Sequence, residues 1–296
     1  MSGFTQSGTE DGELHVIDVE RKATWRSTPR NSAKEGDFYS LDDPATPDAT
    51  AIEKSLARLE GMMAPVVQSI REDQLPNSPQ EFEALMGFVA FMTVRTPSVR
   101  DFVNAITVEK IKEVMRDRMS TDQGLADFCA PAGVSETAEQ EKLRDFANSD
   151  DYTLSVGNTW FVSRMWEAAI HLTPALLSRR WTIMTAETDE SVLICSDSPV
   201  TILARDAAEL RPPPGAWRPT TVLLPLDRRH VLVSDVRGPT RKVTLTAYDI
   251  ARVNTNTMVR ASQLYSGREH FLWQNRSGQV VDSKELIDLM KAASST

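Results

Sequence analysis

Three ionisable residues sit where apolar surroundings make a charge expensive, and together they could do chemistry. Glu60 borders the apolar stripe that Ile52, Leu56, Leu59, Met63, Val66, Val67 and Ile70 draw along one helical face. Arg95 closes the apolar run 82–94 on the side of Phe88 and Phe91, where a helix C-terminus favours a cation but burial also demands a carboxylate, from Glu60 or Asp197. Asp197 follows Val192-Leu193-Ile194-Cys195-Ser196 and precedes Ser198-Pro199, so a strand end delivers it into a loop, where sites are built. Read as structure, Glu60 and Arg95 are a buried ion pair tying two helices, and Asp197 caps a turn through nearby backbone amides. Read as function, Glu60, Arg95 and Asp197 converge in one buried or cleft cluster. Two carboxylates then hold a divalent metal through oxygen ligands, or one acts as a general base while Arg95 clamps an anionic group.

Other polar residues read first as structure. Cys195, inside an apolar strand, is a small buried hydrophobe before it is a nucleophile. His230 follows Arg228-Arg229, a solvated basic turn by default and a phosphate contact otherwise. His171 reads as a satisfied core histidine, and the tryptophans at helical spacing as core. Asn254 falls inside a helix, where it lowers helix propensity without helping an apolar core, so it should hydrogen-bond across a helix–sheet contact. No P-loop, GxGxxG, GxSxG, HExxH or CxxC motif occurs, so no reaction is named by a motif.

The elements that must position these residues are legible from their periods and caps. Residues 14–19 and 23–28 alternate around the polar turn Glu20-Arg21-Lys22, a hairpin that is marginal alone and must dock on something later in the chain. Thr50-Ala51-Ile52-Glu53 is a capping box opening a helix, and Ser78-Pro79-Gln80-Glu81 opens a second that is apolar nearly all round and therefore buried among others. Thr96-Pro97 ends that helix and opens another to about Met119; segments 136–146 and 160–178 continue the helical pattern, with Pro174 as a kink, while 122–135 is weakly patterned. Beyond Arg179-Arg180 the period shortens to strands at 181–185, 191–196, 199–203, 220–226 and 230–235. A loop at 211–215, a helix at 248–262, a strand at 263–266 and a helix at 283–291 complete the chain. The order predicts an α+β protein: a helical middle section packed with a mostly antiparallel sheet formed by the N-terminal hairpin and the C-terminal strands. It reads as a single composite domain over 1–296, with a hairpin arm (1–45), a helical part (46–180) and strands with appended helices (181–296).

Composition removes whole classes. With 296 residues, 41% hydrophobic and 25% charged, the chain has the make-up of a globular protein with enough length for a core. Its formal charge of −9, from 33 Lys+Arg against 42 Asp+Glu, argues against a surface built to grip nucleic acid, though a local basic groove stays allowed. Cys129 and Cys195 cannot make a four-ligand zinc site alone and read as reduced thiols. The N-terminus has no signal-peptide pattern, and the longest uncharged apolar run, 84–94, is far short of the ~20 residues a membrane span needs, so the expected location is cytoplasmic with no membrane partner.

Several short motifs recur in an ordered series: Phe38-Tyr39 after the hairpin, Ile52-Glu53 through Leu59-Glu60, Val94-Arg95-Thr96-Pro97, Ser196-Asp197-Ser198-Pro199-Val200, Leu224-Pro225-Leu226 and Val253-Asn254. In this order, from about Gly12 to Ser266, they resemble the bacterial family called domain of unknown function 4238. The resemblance implies a shared fold and a shortlist of residues, with no reaction attached. It also implies an opening His-x-x-Pro segment leading into Leu-Arg-x-Phe, of which Met1-Ser2-Gly3-Phe4 resembles only the tail, so this chain carries no counterpart to the family's first histidine. The functional expectation is a binding or regulatory module around Glu60, Arg95 and Asp197, needing no cofactor. The alternative is a metal-dependent phosphoester hydrolase, nuclease-like, motivated by the carboxylates, Arg95 and the basic turn Arg228-Arg229. A divalent cation and a nucleic-acid partner belong to that alternative only.

Overall fold

The computed structural model describes residues 1–32, 51–72, 74, 76, 78–134, 137–149, 151–188, 191–203, 220–235 and 243–292. The capping box at Thr50, the Phe38-Tyr39 motif, the 211–215 loop and the side chains of Ile52, Glu53 and Leu56 lie outside what is described.

A 3-10 turn, Ser2–Phe4, precedes the hairpin β1 (Leu14–Asp18) and β2 (Ala23–Ser27) and a short helix, α1 (Pro29–Ser32). The helical section follows as α2 (Ala51–Arg71), α3 (Pro79–Val94), α4 (Pro97–Met119), α5 (Asp122–Cys129), α6 (Thr137–Asn148) and α7 (Asn158–Leu177). Helix α3 starts where its capping box places it, with the Glu81 amide donating to Ser78 Oγ and the Ser78 amide to Glu81, and Thr96 Oγ1 accepts from the Val99 amide to open α4. Helix α5 lies in the weakly patterned stretch; it shows locally only through its cap, the Gly124 amide on Thr121 Oγ1.

The strand-rich part comprises β3 (Arg180–Ala186), β4 (Cys195–Ser196), β5 (Thr201–Leu203), β6 (Thr221–Pro225), β7 (His230–Asp235), β8 (Val243–Leu245), α8 (Ala247–Met258), β9 (Gln263–Ser266), β10 (Leu272–Gln274), β11 (Val280–Asp282) and α9 (Ser283–Ala292). The protein is α+β. Its strands divide between two larger sheets, β2-β1-β9-β4 and β5-β6-β7-β3-β8, and a β10-β11 hairpin. The N-terminal hairpin docks on β9 in antiparallel register, Val16 opposite Tyr265, and β9 in turn carries β4 with Cys195 opposite Tyr265. In the five-stranded sheet only β3 and β8 run parallel among the paired strands.

That sheet is covered on both faces. Val222, Leu224 and Leu232 pack with α2, α3 and α7 through Ile70, Leu85, Val89, Phe91 and Phe161, whereas Leu223, Val231 and Leu245 meet Ile250 and Val253 of α8. Alternate residues of one strand thus reach opposite layers, which is why these strands read as continuous apolar runs. Helix α3 is buried on opposite sides, as its all-round apolar pattern requires: Leu85, Met86, Val89 and Ala90 are fully buried. The strand expected at 191–196 is only Cys195–Ser196; Val192, Leu193 and Ile194 are buried and extended but bond to Asn254 and Arg228 rather than to a full ladder. Among the described residues no helix is long and apolar enough to cross a membrane.

Candidate functional site

Arg95 terminates α3. Its amide donates to the Phe91 carbonyl at 3.0 Å, and its guanidinium stands 5.9 Å from the Phe91 ring centroid. Arg95 Nη1 lies 3.7 Å from Glu60 Oε1, but the Glu60 side chain is 61% exposed and that of Arg95 30%. The expectation of a buried pair is therefore corrected. Among the described side chains of α2 the buried ones are Met63, Val66 and Ile70, and Glu60 is exposed. The Arg95 guanidinium stands over Phe91 while the side chain stays partly exposed, so neither charge is stranded.

Asp197 is half-buried at the end of β4. Its amide donates to the Gln263 carbonyl at 3.1 Å, and its Oδ1 accepts from the Ser262 amide at 3.2 Å, so the carboxylate fastens the start of β9. Burial pushes the Asp197 carboxyl up, more than the hydrogen bonds it receives from backbone amides, those of Gln263 and Ser262 foremost, pull it down. Burial likewise pushes the neighbouring Cys195 thiol up, which marks it as an inert core thiol; the charge of Arg95 acts against that shift and the charge of Asp197 with it. Asp197 follows Cys195 by two residues along the chain, whereas the contacts of the Arg95 side chain are with Phe91 and Glu60.

Two residues that the sequence did not single out complete this strip. The Tyr265 hydroxyl donates to Gln263 Oε1 at 2.8 Å, and Gln263 Nε2 donates to Asp18 Oδ2 at 3.2 Å, with the Arg21 amide on Asp18 Oδ1. Burial raises the Tyr265 phenol, and the negative charges of Asp197 and Asp18 add to it. In one dimension Gln263 and Tyr265 are ordinary strand residues; the register of β9 between β1 and β4 lets Gln263 bond to Asp18 through its side chain and to Asp197 through its backbone, with the Tyr265 hydroxyl on the same side-chain amide.

The second polar centre differs from the sequence expectation. His230 is buried, not on a solvated turn: its Nδ1 lies 3.0 Å from both oxygens of Asp227, whose Oδ1 also accepts the amides of Arg229 and His230. Arg71 Nε, from the end of α2, reaches Asp227 Oδ2 at 3.2 Å. The signal available beforehand was an aspartate three residues before the histidine, the spacing of a side chain that caps its own turn. Gly3 lies against this centre: a Cβ there would stand 2.8 Å from the Asp227 Cβ, and the Gly3 carbonyl accepts the Arg228 amide. His171 is exposed, not a core residue, because the far side of α7 faces solvent; Trp160 and Ile170 of the same helix are exposed with it.

Asn254, fully buried, does what its place in a helix required. Its Oδ1 accepts the Ile194 amide at 3.0 Å and its Nδ2 donates to the carbonyls of Val192 and Leu272, both at 2.9 Å. Among the described residues no group of three or more His, Cys, Asp or Glu side chains is placed to hold a metal ion.

Comparison with curated proteins and with solved structures returns no match. The ordered motifs that place Arg95 at the end of α3, Asp197 after β4 and Asn254 in α8 lie in a single family match over residues 2–268, and the chain belongs to the family described as Protein of unknown function (DUF4238).

Proposed function

We propose that the protein is a binding module in which Arg95 receives an anionic group, with Glu60 and Asp197 setting the charge and position of the guanidinium. The observation that carries this reading is the state of Arg95. Its guanidinium stands over the Phe91 ring, partly exposed, and is partnered by a loosely held, largely exposed Glu60 at 3.7 Å. Such an exposed pair contributes roughly 0–1 kcal/mol, so a ligand carboxylate or phosphate that binds the guanidinium with two hydrogen bonds can displace Glu60 easily. Thermal unfolding in the presence of inorganic phosphate and pyrophosphate tests it. A ligand with a dissociation constant near 1 mM, present at 10 mM, should stabilise the native protein by about 1.4 kcal/mol. Arg95→Met should abolish that gain while lowering ligand-free stability by less than about 1 kcal/mol. A gain that survives in Arg95→Met, or no gain in the wild type, rejects the assignment.

A second reading rests on the raised Asp197 carboxyl. A half-buried carboxyl held toward its neutral form at a strand end suits acid–base work on a phosphoester, as in a metal-dependent, nuclease-like hydrolase. Because folding raises this carboxyl, its ionisation opposes folding increasingly as pH rises through the folded value. Asp197→Asn keeps an acceptor for the Ser262 amide and removes the buried charge, so its melting temperature at pH 7 should match or exceed that of the wild type. Turnover of nucleic acid or a generic phosphodiester with Mg²⁺ or Mn²⁺ that is lost in this stable variant supports the hydrolase; turnover indifferent to it removes Asp197 from the site.

A further inference from the structure

Helix α9 presents two different faces. Leu286, Ile287 and Met290 turn inward onto Ile17, Ile194, Leu264 and Phe271. The helix start is pinned there by the Ser283 amide on the Phe271 carbonyl and the Phe271 amide on Ser283 Oγ. Glu285, Asp288, Leu289 and Ala292, spaced i, i+3, i+4 and i+7, share another face, and with Val281 and Asp282 of β11 they line a groove of about 580 Å³. Leu289 is 55% exposed and Val280, at the start of β11, 38%. The groove is an apolar strip on a firmly anchored helix, with carboxylates along its side.

The charge of the groove selects what fits it. Asp282 is already engaged, its Oδ1 accepting the Lys284 amide at 2.8 Å with His270 Nδ1 at 3.4 Å. Glu285 and Asp288 are exposed, and among the described residues neither carboxylate has an ion-pair partner. Lys284 also lines the groove but pairs with neither of them. An incoming lysine or arginine therefore has no resident cation to displace. The formal charge of −9 on the whole chain draws a cationic partner to the same place, whereas nucleic acid, anionic lipid and a second copy of the chain meet repulsion. We infer that the α9–β11 groove docks a basic amphipathic segment of a partner protein, with apolar anchors on Leu289 and Val281 and lysines or arginines on Glu285 and Asp288. This site is separate from Arg95 and does not depend on the anion-binding reading.

The test uses the full chain and three labelled synthetic peptides of equal length, followed by fluorescence anisotropy. One carries leucine anchors flanked by lysine, the second the same anchors flanked by glutamate, and the third the lysines with serine at every anchor. The first should bind about tenfold or more tighter than either of the others, and Leu289→Ser should weaken it by about tenfold. Glu285→Lys combined with Asp288→Lys should move the preference to the glutamate-flanked peptide. Reversing as many charges away from the groove, with Glu141→Lys and Asp145→Lys on α6, should change the affinity of the first peptide by less than about twofold, because salt screens distant surface charges. All these positions are exposed, so the variants should keep the wild-type melting temperature. Equal binding of the lysine peptides with and without anchors, or equal losses from the α6 and α9 reversals, would mean general attraction to an acidic chain and overturns the proposal. Binding of none of the peptides overturns it too, as does sedimentation showing that the chain itself dimerises through Leu289.

Discussion

Replacing Asn254 with leucine is expected to destabilise the protein by about 3–5 kcal/mol, although the side chain keeps its branching and its number of heavy atoms and no charge is involved. The side chain satisfies three buried backbone groups at once: the Ile194 amide and the carbonyls of Val192 and Leu272. Each group left unpaired and sealed from water loses roughly 1–3 kcal/mol, and relaxation of the surrounding turns recovers part of the sum. The effect is large because Val192, Leu193 and Ile194 lack a full ladder, so Asn254 substitutes there for a neighbouring strand. Loosening it also disturbs Asp197 three residues on and the packing of Leu193 against Ile250 and Val253. Urea unfolding followed by circular dichroism measures the difference; a leucine variant within 1 kcal/mol of wild type would show that the 192–194 segment is held by packing alone. Asn254→Asp keeps the acceptor but loses both donor bonds and buries a charge, and it should be no better.

Asp227→Asn is expected to lower stability at pH 7 by about 2–4 kcal/mol, with a difference that shrinks as the solution is acidified. Burial opposes the Asp227 charge, but the hydrogen bond and charge of His230, with the amides of Arg229 and His230, outweigh it and hold the carboxyl below its usual value. Because the folded value lies below that of the unfolded chain, near 3.9, the stabilisation is complete above the unfolded value and is lost as pH falls through the folded one. Asparagine has a single accepting oxygen, so Arg71 loses its counter-charge and the His230 ring and the amides of Arg229 and His230 lose a carboxylate acceptor, which is the costly way to break a buried cluster; partial exposure of Arg71 keeps the effect moderate. Urea midpoints of wild type and variant between pH 7 and pH 3 should draw closer toward the acid end. A gap that stays constant with pH would mean that the carboxylate charge contributes nothing and that only turn geometry matters.

Much of the architecture was legible before any coordinates. Ser78 with Glu81 and Thr96 with Pro97 mark helix starts through bonds closed within three residues, and the all-round apolar pattern of α3 demanded the burial it has. Helix α5 was missed because its apolar residues are few and its strongest signal is one cap at Thr121. The β10-β11 hairpin was missed because its strands are three residues long, too short to establish a period. The candidate site was less legible. Asp197 as a turn-forming carboxylate follows from Ser196 to Pro199, but the exposure of Glu60 depends on how α2 rolls against α3, which a stripe of apolar residues bounds only to within about a turn.

What the sequence alone determined is therefore the class of each element, the α+β order, the family and the need for Asn254 to find partners, because these depend on periods, caps and costs set within a few residues. The tertiary structure alone decided which distant groups meet. Arg71 reaches Asp227 across 156 residues, and β9 enters between β1 and β4 to bring Asp18, Gln263, Tyr265 and Asp197 into one strip. It also left α4 and Trp160 facing solvent. The physical reason is that strand register and helix rotation are settled by the packing of whole layers, where moving one strand by a single residue turns every side chain to the opposite face.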